Sequence, residues 1–443
     1  MKHPQGLVGF LISLGLLLLL LLASLGLALF AFWSLQLFLP LPGWSLLLLS
    51  LGFLLPGAVL LARRFPFLSD WYYLLPALSF LLVFTVYPTV LTLYLAFTDY
   101  SGSKNGMPDR STETRILRVE GRTLVLEGKA RETLRCNPCT GVGLEVYTQK
   151  GQRFRTRILA EEENRITLAA SPPFQPQYAA KINAFRFIGF RNFTYILSQA
   201  GKALIPVFAW NVAFASLTVL LNALVGGVLG ILLNNKRLRL RNLYRTLLIV
   251  SWALPGVITV QVWVALLNYN FGAINRLLGV LGIYPIPWLL DPDWAKVAVL
   301  LVNLWLGFPY MMTATLGALS TIPDELYEAA RVDGASPWQA FRRITLPLLR
   351  QPMTPILLSA FAFNFNNFYI IYLLTGGGPA QEGRLATAQA TDILISWAYK
   401  TAFTAEGQSA YGLGAAISLL IFLITVAISL VNFRLTGALR EVR

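Results

Sequence analysis

Residues 321–350, TIPDELYEAARVDGASPWQAFRRITLPLLR, form a long polar, helix-forming stretch lodged between long apolar runs in the C-terminal half of the chain. Thr321 reads as an N-cap with Pro323 in the first turn, and the helix runs through Glu325, Glu328 and Arg331 to Gly334, which ends it at φ > 0. Ser336, Pro337 and Gln339 start a second helix with an N-cap, a first-turn proline and the S-x-x-Q capping box. That helix carries Trp338, Phe341 and Ile344 and stops at Pro347. Two helices meeting at a glycine elbow between hydrophobic spans make a docking surface.

Composition sets the frame. The 443 residues are 56% hydrophobic and only 13% charged, with a mean hydropathy of +0.61, and several apolar runs exceed the ~20 residues needed to cross a bilayer. Candidate spans lie at 7–33, 44–62, 73–97, 204–233, 246–267, 296–319, 351–375 and 410–433. The first is too long for a signal-peptide core and reads as a retained span. The expected fold is therefore an all-α polytopic membrane protein of eight transmembrane helices, with a small β-rich extracytoplasmic domain inserted between helices 3 and 4. Three segments follow: three helices in 1–97, the β-rich domain in 98–203, and a five-helix core with its polar loop in 204–443.

Parity fixes the sides. Arg63-Arg64, the basic run Lys236, Arg237, Arg239, Arg241 and Arg245, the loop at 321–350, and the tail with Arg434, Arg440 and Arg443 are separated by even numbers of spans. All fall on one face, which the positive-inside tendency makes cytoplasmic, as are both termini. The net charge of +15 is in part accounted for by these short loops, so no nucleic-acid partner is called for. In the outward insertion, Ile116–Val119 with Thr123–Glu127 and Leu144–Tyr147 with Phe154–Leu159 flank turn residues in the pattern of two hairpins. Cys136 and Cys139 are the only cysteines; a closed zinc site needs four ligands and the segment offers no histidine, so a local disulfide is preferred over a reduced loop and no metal is expected.

The five core spans contain no Asp, Glu, Lys, Arg or His over 204–233, 246–267, 297–319, 351–375 and 410–433. Ion-coupled carriers and pumps keep such groups at membrane depth, so coupling must come from elsewhere and the cargo should be uncharged. In 351–375, Ala360, Phe363, Asn364 and Asn367 share one helical stripe. Amides that bond hydroxyls beside rings that stack on C–H faces suit a sugar, and asparagines that bond one helix to another give the same pattern; the residues alone favour neither.

Glu328-Ala329-Ala330, Asp333-Gly334-Ala335 and Ile344-Thr345-Leu346-Pro347, in the form EAA-x2-DGA-x8-ITLP, resemble the EAA loop of ABC-importer permeases, and the wider stretch is similar to MalF-type subunits of maltose/maltodextrin importers, within the binding-protein-dependent transport system inner membrane component family. The resemblance implies that Glu328, Ala329, Ala330, Asp333, Gly334 and Ala335 couple to a cytoplasmic ATPase. It also implies a mid-membrane sugar site drawing on Trp305, Gly307, Tyr310, Phe363, Asn364 and Asn367, with Trp252 from the Ser251–Gly256 stretch. Trp252, Gly256 and Ala360 stand where the family shows Tyr, Ser and Ser, which removes hydroxyls and leaves the sugar open among maltose, a longer maltodextrin and trehalose. The similarity covers 204–434; the first two spans and the outer domain resemble the family only in layout.

The implied protein is a permease subunit in the bacterial inner membrane and not an enzyme. No G-x-x-x-x-G-K-[ST] run occurs, so ATP and Mg belong to a partner and this chain binds no cofactor. The implied partners are a second, MalG-like permease, two copies of the ATPase, an extracytoplasmic sugar-binding protein and membrane lipid. Two other classes compete: a carrier or channel acting alone, which would keep an ionisable group in a span, and an outer-domain glycosyltransferase, for which the carboxylates from Glu113 to Glu163 form no acid, base or metal constellation.

Overall fold

The computed structural model describes residues 7–36, 45–64, 77, 80–235, 238–404 and 409–436. Lys236, Arg237, Arg440, Arg443 and most of the first part of the 73–97 span lie outside the described residues. Two compact units divide at Leu91 and Thr92.

In the first unit, helices Leu7–Gln36 and Ser45–Arg64 are leucine-rich throughout. They approach closely at Gly57, where a Cβ would lie 2.7 Å from Leu20 Cδ1. A helix that is apolar on all sides has lipid as its natural solvent.

The second unit opens with a closed six-stranded barrel. Its strands are β1 Thr114–Glu120, β2 Thr123–Leu126, β3 Gly143–Tyr147, β4 Arg153–Glu162, β5 Arg165–Leu168 and β6 Tyr178–Lys181, ordered β1-β2-β5-β4-β3-β6. Strand alternation puts Leu124 and Leu126, Leu144 and Val146, and Ile166 and Leu168 into the interior, all essentially inaccessible. Bulges between Ile116 and Arg118 and between Ile158 and Ala160 give β1 and β4 the bend that closure requires. Cys136 and Cys139 are joined by a disulfide buried in this core. The Cys139 amide donates to Glu161 Oε2 at 2.8 Å, and Arg131 holds the other oxygen at 2.7 Å.

After the barrel, the described residues hold helices Ile205–Asn234, Pro292–Leu319 and Tyr411–Thr436. With Leu7–Gln36 these make four helices long and apolar enough to cross a membrane, or up to six if each of two bent pairs is one span. Shorter apolar helices occur at Leu48–Leu61 and Leu82–Leu95. The Ile205–Asn234 helix buries Asn211, Ala215, Thr218, Asn222, Gly226 and Gly230 on one stripe. At Gly226 a Cβ would meet Met311 Cβ at 2.6 Å, and at Gly230 it would meet Thr315 Cβ at 2.9 Å, so two glycines four residues apart let this helix and Pro292–Leu319 touch backbone to backbone.

Two of the expected spans are broken. The 246–267 segment is helix Arg241–Ala253 followed by Gly256–Leu266 at 91°. Pro255 sits at the corner because it has no N–H to continue the first helix and its fixed φ suits the start of the second. The 351–375 segment bends by 45° at Asn366-Asn367, between helices Leu346–Phe365 and Phe368–Thr375. The freed Phe365 carbonyl accepts from Asn211 Nδ2 at 2.9 Å, which satisfies the break inside the bundle.

The polar loop forms the elbow with two corrections. Thr321 caps nothing: its hydroxyl bonds back to the Ala318 carbonyl at 2.8 Å, and the helix Asp324–Val332 starts after Pro323 without a side-chain cap. Nor does Pro347 stop the second helix. A wider π-turn over Phe341–Thr345 precedes it, and the helix continues as one body from Pro337 to Phe365. Pro347 falls near the start of the α-helical part, where its missing N–H costs little.

Candidate functional site

A cavity of about 790 Å³ opens between the broken segments and the Pro292–Leu319 helix. The corner at Pro255 presents Trp252 and Gly256, the straight helix presents Asn303, Gly307 and Tyr310, and the break at Asn366 presents Ala360, Phe363, Asn364 and Asn367. No side chain lining it is Asp, Glu, Lys, Arg or His. Six of the seven residues named for the sugar site therefore surround one space. Trp305 does not line it; its indole packs edge-on against Trp263, with ring centroids 6.0 Å apart.

The asparagines divide between the two roles left open by sequence. Asn303 Nδ2 donates to Asn364 Oδ1 at 2.9 Å and to Thr218 Oγ1 at 3.3 Å, and Asn364 Nδ2 returns to the Ala360 carbonyl at 2.8 Å. Asn303 thus ties three helices together, and Asn364 is committed as one of its acceptors. Asn367 differs: its Nδ2 reaches Asn364 Oδ1 at 3.4 Å, while its Oδ1 is buried without a partner among the described residues. Asn222 Oδ1, also on the cavity wall, is in the same condition. A buried amide oxygen without a donor costs ~1–3 kcal/mol, so these two acceptors favour a ligand that brings hydroxyl donors. The rings are the accessible part: Phe363 is 67% and Trp252 56% exposed, and Trp252 stands beside Tyr310 at 6.2 Å between centroids.

Asn222, Asn303 and Tyr369 were not singled out from sequence. Asn222 had a signal, since it shares the Asn211, Thr218, Gly226 stripe of an apolar span. Its partner explains Gly307: a Cβ there would overlap the Asn222 amide. Gly256 faces the Tyr369 ring, which would lie in van der Waals contact with a Cβ at that corner.

At the elbow, Gly334 has φ +74°. The Gly334 amide donates to the Arg331 carbonyl and the Ala335 amide to Ala330, the two bonds of a Schellman ending. Ser336 and Gln339 form the reciprocal capping box, and Tyr327 meets Thr345 hydroxyl to hydroxyl at 3.0 Å to brace one helix on the other. Glu328, Ala329, Asp333 and Gly334 are exposed, and Ala330 and Ala335 half-buried. Val332 at 88% and Trp338 at 66% exposure add an apolar surface to the same loop.

Residues 224–440 match the model of the family described as binding-protein-dependent transport system inner membrane component. That range takes in the cavity, apart from Asn222, and the elbow, and leaves out the barrel. The maltose/maltodextrin transport system permease protein MalF of Salmonella typhimurium is 46% identical over 252 residues, 56% of this chain and 49% of that protein. Its counterpart from Escherichia coli is 45% identical over 251 residues, with the same shares. The chain thus spans about half the length of the curated relatives it matches. A chain of a bacterial ABC transporter involved in alginate import has the same fold over 57% of this chain and 84% of its own length, at a TM-score of 0.50 and 22% identity.

Proposed function

We propose that this chain, which over residues 224–440 belongs to the family of binding-protein-dependent transport system inner membrane components and is of MalF type, forms one half of the translocation path of an ATP-driven importer for a neutral, α-linked oligosaccharide. The observation that carries the reading is the helix Pro337–Phe365. It starts at the elbow and ends at Phe363 and Asn364 on the cavity wall, a continuous helix of about 43 Å at 1.5 Å per residue. A displacement of the elbow carried along this helix moves the cavity wall, which is what coupling between an external ATPase and a pathway requires. The chain itself performs no covalent chemistry and holds no cofactor; ATP and Mg act in the partner.

In this reading the protein crosses the inner membrane eight times with both termini inside, the barrel projects outward, and the elbow faces the cytoplasm. A second permease half completes the cavity. Two ATPase copies grip the elbows, with Glu328 and Asp333 as the exposed charges, and an external binding protein delivers sugar. In proteoliposomes containing the assembled transporter, Trp252→Ala and Asn367→Ala should each lower sugar uptake at least tenfold while leaving the ATPase attached. Wild-type uptake by both variants overturns the cavity assignment. Concentrative uptake by the isolated chain, without any ATPase, overturns the function.

A further inference from the structure

Residues 186–202, RFIGFRNFTYILSQAGK, hold three cations, Arg186, Arg191 and Lys202, and no acid. All three are exposed, and none is in an ion pair among the described residues. The same stretch exposes large apolar side chains. Phe187 and Phe190 are 68% and 70% exposed and Leu197 is exposed as well. The two phenylalanines are set against a shared Phe97, at 6.2 and 5.3 Å between ring centroids. Neither water nor hydrocarbon alone suits a segment that shows both cations and rings; the boundary between the two does.

Chain connectivity sets the depth of this segment. Helix Arg191–Ser198 leads through Gln199 into the span Ala200–Asn234. Thr98 comes three residues after the apolar helix Leu82–Leu95, and Ala410 stands immediately before the span Tyr411–Leu430. Thr98, Arg191, Tyr195 and Ala410 all line one cavity of about 370 Å³. That cavity therefore lies where three apolar helices end on the barrel side of the bundle, which is the level of lipid headgroups. Its wall carries an uncompensated cation. Asp99 is the one acid there, and both its oxygens are spent: Oδ1 accepts from the Arg186 backbone amide at 2.6 Å and Oδ2 from Lys104 Nζ at 2.7 Å. The Arg191 guanidinium makes no hydrogen bond among the described residues, and Tyr195, one helical turn on, shares its face.

We propose that this cavity and the apolar strip beside it bind an anionic phospholipid of the leaflet on the barrel side, with its phosphate on Arg191 and Lys104 and its acyl chains against Phe190, Leu197 and Ile205. Charge selects the headgroup, since a zwitterionic lipid brings a cation of its own to a wall that is already positive. The exposed rings select a lipid over an acidic protein surface or a free anion, because only a lipid also supplies hydrocarbon. The inference rests on the membrane class of the chain and not on the sugar or the ATPase. Such a lipid pins the junction between barrel and bundle at the bilayer surface.

The test uses the complete transporter in phosphatidylcholine nanodiscs doped with a photoreactive phosphatidylglycerol, or with a phosphatidylcholine carrying the same photoreactive chains, and maps labelled peptides by mass spectrometry. Phosphatidylglycerol should label 186–205 well above phosphatidylcholine, and the unlabelled glycerol lipid should displace it. Arg191→Gln should raise half-saturation of that labelling roughly five- to tenfold, the worth of one cation facing a lipid phosphate. Arg191→Lys should keep most of the affinity, which separates lost charge from lost folding. Equal labelling by the two lipids identifies plain acyl contact and overturns the site. Displacement by inorganic phosphate identifies a free-anion site and overturns it as well. Absence of labelling by either lipid shows that protein covers this surface, and unchanged half-saturation in Arg191→Gln removes the headgroup contact; each result overturns the proposal.

Discussion

The barrel and the helical core of the second unit solve opposite problems. The barrel buries Glu145 and neutralises one of its oxygens with Arg155 at 2.9 Å, its strands carry arginines on the outside, and a disulfide closes its small interior. The helical core puts leucines such as Leu220 and Leu224 outside, keeps acids and bases out of the middle of its long helices, and fills its contacts with glycine, alanine and asparagine. One region is folded by water against a hydrophobic centre. The other is folded by close backbone approach and internal amide bonds in a medium that offers no hydrophobic gain. The same chain shows that a buried polar group is a liability in the first setting and a fastening, or a ligand position, in the second.

The comparison breaks most visibly at Gly226. Gly226→Val puts side-chain atoms into Met311 and the Met312 backbone, and overpacking of this kind costs ~1–3 kcal/mol or more. Loss of monodisperse protein in detergent is the expected outcome, with the barrel still folded; preserved assembly would show that backbone contact does not hold the core. In the barrel, Cys136→Ser with Cys139→Ser should cost about 2 kcal/mol, the loop-closure worth of so short a bridge. Limited proteolysis should then cut within 114–181 first, while sugar-stimulated ATP turnover stays normal.

Smaller effects sharpen the contrast. Gly334→Ala forces a Cβ into the left-handed region at a cost of ~1–2 kcal/mol. ATPase co-purification should fall while the chain remains folded, and unaltered co-purification with full transport would remove the elbow from the coupling route. The smallest change is confined to the barrel. Burial, and then the neighbouring Glu113 carboxylate, push the Tyr147 phenol up to about 12. A raised pKa on an acid means the neutral form is favoured by folding, so this stabilisation is complete below pH ~10 and is lost as pH rises through about 12. Tyr147→Phe should flatten that alkaline limb of barrel unfolding and leave the neutral range alone.

Much of this was legible in the residues. Runs of apolar residues gave the membrane class, period-two alternation gave both hairpins, and Gly334 with the Ser336–Gln339 box gave the elbow, because each of these is a local rule of backbone geometry. Six of the seven residues named for the sugar site line the cavity, and they were named through resemblance more than through pattern. What failed was continuity. Apolar runs did not give the 91° corner at Pro255, a proline able to kink its span, or the 45° break at Asn366, since apolarity reports the surrounding medium and not the path of the chain. Pro347 does the reverse, because a π-turn accommodates what sequence rules take as a stop.

The sequence by itself therefore determined which parts meet lipid and which meet water, where charge is permitted, and where an elbow forms; all follow from transfer energies and short-range dihedral preferences. Only the tertiary structure decided that Asn364 is a fastening while Asn222 and Asn367 each keep a buried amide oxygen without a partner among the described residues, that Trp305 turns away, and that one helix joins elbow to cavity. These depend on which donor lies within 3 Å of which acceptor across different helices, a distance that no spacing along a single chain contains.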